Sequence, residues 1–266
     1  VIYSPFAHRT FGPAPTHGRP CAVVIHGFTG APSDVWPVAS ALGTAGFATA
    51  VPCLTGHDQG VEGIRDATLK DWCEDVRSAA QRLCDATGQP VYVAGLSLGS
   101  LLALDLALSE TVPVAGVAAL APPLVLGSAG RLASALVHRT PQLRHLTMPK
   151  LKGPDIENGA PLPGAPGMPL LAVHQLYRLM DRVKAGLGEY HKPLLVLHSQ
   201  QDHTAPILGG YTLAAAVRAT PLRLVVLERG FHVITRDVLS TRVANEVVAF
   251  AERTCRPDED GLSARV

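Results

Sequence analysis

Six short apolar runs punctuate the chain: CAVVIHGF from Cys21, FATAVPCL from Phe47, VYVAGLS from Val91, VAGVAALAP from Val114, LLVLHSQ from Leu194 and LRLVVLE from Leu222. Their apolar positions are nearly continuous rather than alternating, the pattern of parallel strands covered on both faces. Segments of helical period lie between them. SDVWPVASALGTAG offers Ser33 or Asp34 as a cap. TLKDWCEDVRSAAQRLCDATG runs from Thr68, a good N-cap, to Gly88, suited to the left-handed residue that ends a helix. Strand and helix alternating in this order predict an α/β fold built on a doubly wound, mostly parallel sheet.

The rhythm breaks once. From Pro122 to Lys192 the pattern predicts no strand, only a helical SAGRLASALVHR, an irregular KGPDIENGAPLPGAPGMP and a second helical run, LLAVHQLYRLMDRVKAGLG. The middle piece holds four glycines and five prolines, too many for regular helix or strand. The chain therefore divides into a core, residues 1–121 and 193–266, and a cap or lid, residues 122–192, inserted between two late strands. Between Glu110 and Asp155 there is no acidic residue, yet Arg131, Arg139, Arg144, Lys150 and Lys152 all fall there. The plainer account is a solvated basic helix face; the other is a face that attracts anionic interfaces or released acids.

Composition narrows the classes. A chain of 266 residues, 47% hydrophobic, can build one large core without staples. A net charge of +1 gives no pull towards nucleic acid or membrane surfaces, and aromatics at 5% do not interleave with basic residues as a nucleic-acid stripe requires. The five cysteines are scattered and form no CxxC pair, so free thiols are expected rather than a disulfide framework or zinc site. No HExxH, paired-Asp or GxGxxG motif follows a strand, and neither a metal nor another cofactor is expected. No apolar run reaches the roughly 20 residues of a membrane span. The start, VIYSPFAHRT, lacks signal-peptide order. Cytoplasm is the default expectation, a leader trimmed ahead of Val1 being the alternative.

The chemistry concentrates at one junction. Gly95-Leu96-Ser97-Leu98-Gly99 fits G-x-S-x-G where a strand gives way to a helix. Glycines on either side let strand and helix approach, and the serine hydroxyl projects at the helix N-terminus. Such a nucleophile needs a base and a group to orient it. His232 follows the last apolar run and Asp202 the one before it, so both sit at strand carboxyl ends on the edge that carries Ser97. The order Ser97, Asp202, His232 is the order of triads at such elbows. The oxyanion hole would use the backbone N–H of Leu98 and of Phe28 in HGFTG, where Gly27 and Gly30 bring the backbone close. His203 is a weak rival for the base and Glu228 for the acid. His57 and His198 read as structural polar groups, and His26 as a residue that orders the HGFTG loop.

These residues resemble the α/β-hydrolase superfamily, and more narrowly bacterial carboxylesterases and monoacylglycerol lipases. The likeness is carried by VVIHGFTGAPSDVWPVASALGTAGFATAVPCLTGHD, TLKDWCEDVRSAAQRL, VAGLSLGS, QQDHTAP and GFHVIT, and spans about Cys21 to Cys255. It is weakest from Pro122 to Pro169. Ser100 stands where a second glycine is usual after the elbow, and Asp58 where glycine often follows the histidine of TGHDQG. The resemblance implies hydrolysis of a small-molecule carboxylic ester through an acyl-enzyme, under a cap, with short or medium acyl chains and monoacylglycerols as candidates. LASALV and LLAVHQLYRLM would line the acyl pocket. The alternatives are thioester, amide or perhydrolysis chemistry on the same fold, and a small-molecule binder with an idle triad. Oligomeric state is not legible.

Overall fold

The computed structural model describes residues 4–150, 155–157, 159–219 and 221–255. All six apolar runs become strands. After a short β1 (Arg9–Phe11) come β2 (Cys21–Ile25), β3 (Ala48–Val51), β4 (Val91–Leu96) and β5 (Val114–Leu120). A small separate pair follows, β6 (Thr147–Pro149) and β7 (Gly167–Pro169), and then β8 (Leu194–Ser199) and β9 (Leu222–Leu227). The main sheet runs β1-β3-β2-β4-β5-β8-β9, with β1 antiparallel and every other pairing parallel.

The near-continuous apolar runs have a direct cause. Successive residues of a strand face opposite sides, and both sides are covered. Cys21, Val23 and Ile25 pack into one layer with Trp72 and Val76 of α3 (Leu69–Thr87) and Leu101 of α4 (Leu98–Ser109). Ala22 and Val24 pack into the other with Val38 and Leu42 of α1 (Trp36–Thr44) and Val247 and Phe250 of α8 (Ser240–Cys255). Thr68 caps α3 as predicted: its hydroxyl accepts from the Asp71 N–H, and the Asp71 carboxylate accepts from the Thr68 N–H. Gly88 ends that helix at φ +66°. Asp34 caps the 3-10 turn Pro32–Val35 before α1, accepting from the Ala31 N–H at 2.9 Å, rather than α1 itself; the Ser33 hydroxyl makes no cap.

Between β5 and β8 lie α5 (Ser128–Arg139), the β6/β7 pair and α6 (Leu170–Gly186). The expectation of no strand in this stretch fails at β6 and β7. Each is three residues long and ends in proline, and β6 is mostly exposed, so no apolar run announces them. The edge strand β1 is hidden for the same reason. Helices α2 (Gly60–Asp66), α7 (Leu208–Ala216) and α8 add to those predicted. Because β2, β4, β8 and β9 are parallel, the loops after them open on one edge of the sheet.

Candidate active site

Ser97 follows β4 directly and holds φ +52°, ψ −115°, a conformation that costs a non-glycine residue about 1–3 kcal/mol. The surroundings enforce it. A Cβ at Gly95 would overlap the Gly99 carbonyl, and one at Gly99 the Ile25 carbonyl. The Ser97 N–H donates to the Leu120 carbonyl at 2.8 Å, locking the elbow to β5. Ser100, at the position where glycine is usual, is fully buried, and its hydroxyl donates to the Ser97 carbonyl at 2.6 Å. The departure braces the turn.

Across the sheet edge, the three residues read from the sequence meet. Ser97 Oγ lies 2.9 Å from His232 Nε2, and His232 Nδ1 lies 2.8 Å from Asp202 Oδ2. Asp202 and His232 are both buried. The other carboxylate oxygen, Oδ1, accepts from the N–H groups of Thr204 and Ala205 at 2.9 and 2.8 Å. His198 Nε2 sits 3.2 Å from Asp202 Oδ2 and 2.8 Å from the Ala205 carbonyl, so a proton on that nitrogen serves both acceptors. Burial pushes the Asp202 carboxyl up, but the charge of His232 and the bonds from His198, His232 and Ala205 outweigh it and hold Asp202 far below the usual carboxylate range. Burial pushes His232 down, while the Asp202 charge and hydrogen bond push harder and leave it above the ordinary imidazole value.

Of the two residues read as an oxyanion hole, Phe28 lines the cavity beside Ser97 and Leu98 follows Ser97 directly in the chain. Phe28 lies in the loop after β2, and Leu98 is the first residue of α4. Neither N–H donates to an acceptor among the described residues. His26 pins that loop: its Nε2 accepts from the Leu54 N–H at 3.0 Å, which leaves Nδ1–H to donate to the Gly27 carbonyl at 3.0 Å. A Cβ at Gly30 would lie 2.7 Å from Asp34 Oδ2 and force that carboxylate to shift, whereas at Gly27 the nearest contact, Ser97 Cβ at 3.5 Å, is ordinary. His57 is buried edge-on to His26 and Trp72, and burial lowers it to about 4. His203 lies edge-on against Phe231, and Glu228 is taken by Arg242 at 2.8 Å, so neither rival is part of the hydrogen-bonded chain from Ser97 through His232 to Asp202.

A cavity of about 40 Å³ opens beside Ser97 and His232. Its apolar lining is Phe28, Leu96, Leu162, Pro163 and Val233, and its polar lining Asp34, Lys150 and Asp155. The expected acyl lining from α5 and α6 is not there. Leu132 and Leu136 of α5 are 71% and 59% exposed, and Leu176, Leu179 and Met180 of α6 join the main core. Of the five basic residues, four are described, and they differ in surroundings. Arg131 pairs with Asp181 at 2.6 Å over the Tyr177 ring, Lys150 borders the cavity, and Arg139 and Arg144 are exposed. Lys152, like Gly153 and Pro154, lies outside the described residues. Asp34, Lys150 and Asp155 were not legible as site residues: a cap, a charge run and a loop acid carry no signal of proximity to Ser97. Among the described residues, no group of three His, Cys, Asp or Glu is placed to hold a metal, and no helix is long and apolar enough to cross a membrane.

Residues 16–238 match the family described as serine aminopeptidase, S33. The chain belongs to this family. It is an α/β-hydrolase and a serine ester hydrolase. This hydrolase is 30% identical over 220 residues to a thermostable monoacylglycerol lipase of Bacillus sp. (strain H-257), covering 81% of this chain and 83% of that protein. It is 23% identical over 237 residues to a carboxylesterase of Bacillus subtilis (strain 168), covering 89% and 94%. Among solved structures, one described with the metagenome-derived lipolytic enzymes LipS and LipT superposes with a TM-score of 0.85 at 25% identity, over 95% of this chain and 100% of that one.

Proposed function

We propose that Ser97, His232 and Asp202 are the catalytic triad of this hydrolase, that the amides of Phe28 and Leu98 form its oxyanion hole, and that it cleaves short to medium acyl esters of uncharged alcohols, monoacylglycerols among them. The observation that carries the reading is the unbroken relay from Ser97 Oγ through His232 to Asp202 at 2.9 and 2.8 Å. Neutral His232 takes the serine proton as Oγ attacks the ester carbonyl, Asp202 holds the imidazole, and the two amides receive the oxyanion. The imidazolium then protonates the departing alcohol, and water repeats the sequence on the acyl-enzyme. The relatives' names support the substrate class, since they include a monoacylglycerol lipase and a carboxylesterase.

The cavity beside Ser97 is small, about 40 Å³, and Leu162 and Pro163 of the inserted stretch line it. Residues 122–192 therefore act as a cap that must shift at Leu162 and Pro163 to admit an acyl chain. A second reading, amide hydrolysis next to a free amine, draws on the family description and on the two carboxylates at the cavity, Asp34 and Asp155. A panel of p-nitrophenyl esters, monoacylglycerols, thioesters and aminoacyl p-nitroanilides, ranked by kcat/KM, separates the two. Ser97→Ala is expected to lower kcat about 10⁶-fold while retaining the fold. A fluorophosphonate is expected to label the wild type at Ser97. Labelling elsewhere, or activity that survives Ser97→Ala, would overturn the assignment.

A further inference from the structure

The stretch between β5 and β8 reaches back to the loops of Asp202 and His232 through one short segment. The Asp155 carbonyl accepts from the N–H of Val233, next to the base, at 2.9 Å. Its carboxylate Oδ1 accepts from the Thr204 hydroxyl at 3.0 Å, and the Thr204 N–H in turn donates to Asp202 Oδ1. Two residues on, the Glu157 N–H donates to the buried Asp237 carboxylate, which also receives the Phe231 N–H at 2.6 Å. The Glu157 carboxylate accepts from the Gly230 N–H at 3.0 Å and pairs with Arg229. Between these bonds Ile156 is buried in the same core cluster as Val233 and Ile234. The segment is a splint laid along 229–233, with Asp155 at the end nearest the chemistry.

We propose that Asp155 is a positioning residue for the triad: it ties the loop carrying Asp202 to the loop carrying His232 and sets its own carboxylate beside the base. Two features set it apart from an ordinary loop acid. It bridges the base loop through its main chain and the acid loop through its side chain, so either loop moves only by breaking an Asp155 bond. It also lines the cavity with Ser97 and His232. The charged groups around the base are Asp202 from the loop after β8, and Asp155 and Lys150 from the inserted stretch, while Asp34 borders the same cavity from the turn before α1. Asp155 favours the charged imidazole and Lys150 disfavours it. The inserted stretch thus supplies both a mechanical tie and an opposed charge pair.

The inference rests on Ser97 acting through His232, and three variants test it with p-nitrophenyl butyrate and a fluorophosphonate. Asp155→Asn keeps an acceptor for Thr204 but removes the charge. Its kcat/KM is read across pH, and the midpoint of the acidic limb is expected about half a pH unit below that of wild type. Asp155→Ala and Thr204→Val break the tie. They are expected to lower kcat and the labelling rate about tenfold, with KM within about twofold and the melting temperature held. If all three variants track wild type, or if kcat and melting temperature fall together while the Asp155→Asn limb stays put, Asp155 is merely structural and the inference is overturned. A Ser97→Ala control distinguishes the deeper failure: retained activity there overturns the triad itself, whereas an inert Ser97→Ala with indifferent Asp155 variants overturns only the tie.

Discussion

At the residue scale, His232 as the proposed base sets how the hydrolase is expected to respond to pH. The base must be neutral to accept the serine proton, and Asp202 holds it above the ordinary imidazole value. Activity is therefore lost as pH falls through that raised pKa, and kcat/KM is expected to climb to its plateau with a midpoint above about 6.5. Asp34, which burial raises to about 6, titrates nearby. Asp34→Asn separates the two, because the His232 limb should persist in it; a profile flat from pH 5 to 9 would exclude a histidine base. His57 carries the opposite sign, for stability rather than activity. Burial lowers it to about 4, so between about 4 and 6.5 the unfolded chain binds the extra proton. Its contribution is present above 6.5 and is lost as pH falls through this window, by up to a few kcal/mol. The drop in melting temperature from pH 6.5 to 4 is expected to be smaller in His57→Gln than in wild type.

At the scale of elements, the strand–elbow–helix unit of β4, Ser97 and α4 stores strain that close packing maintains. Gly95 and Gly99 are pressed against backbone carbonyls, not flexible side chains, so an added methyl forces the backbone to move. Gly95→Ala is expected to destabilise by about 1–3 kcal/mol or more, read by denaturant titration, and to cut activity beyond the loss of folded protein. Ser100 should behave differently. Ser100→Gly removes the 2.6 Å bond to the Ser97 carbonyl without adding bulk. It is expected to cost about 1 kcal/mol and to leave activity close to wild type. A large loss of kcat in Ser100→Gly would assign that hydroxyl a part in the chemistry.

For the whole molecule, the sheet edge and the inserted stretch together set what can bind. Leu162 and Pro163 line a small cavity with Ser97, while Leu132 and Leu136 of α5 are exposed and Leu176, Leu179 and Met180 of α6 join the core. Across a p-nitrophenyl ester series, kcat/KM is expected to rise with chain length and then fall, each buried methylene adding up to about 0.8 kcal/mol. Leu162→Ala should move the maximum to longer chains. An unchanged maximum would place the acyl group elsewhere.

The sequence by itself determined the six strands of the parallel sheet, the caps of α3, and which serine, aspartate and histidine, Ser97, Asp202 and His232, come together at one sheet edge. Those features are local or follow from layering: a strand covered on both faces must be apolar throughout, and parallel strands put their following loops on one edge. It did not reveal β1, β6 or β7, whose three-residue pairings leave no periodicity, nor which way the apolar residues of α5 and α6 face. Only the tertiary structure decided that His198 shares Asp202 with His232, that Asp34, Lys150 and Asp155 border the cavity, and that the base is raised rather than lowered. The physical reason is range. A cap, an elbow or an apolar run acts over a few residues, whereas the balance between burial and a neighbouring charge depends on loops 30 or more residues apart in the chain meeting within 3 Å.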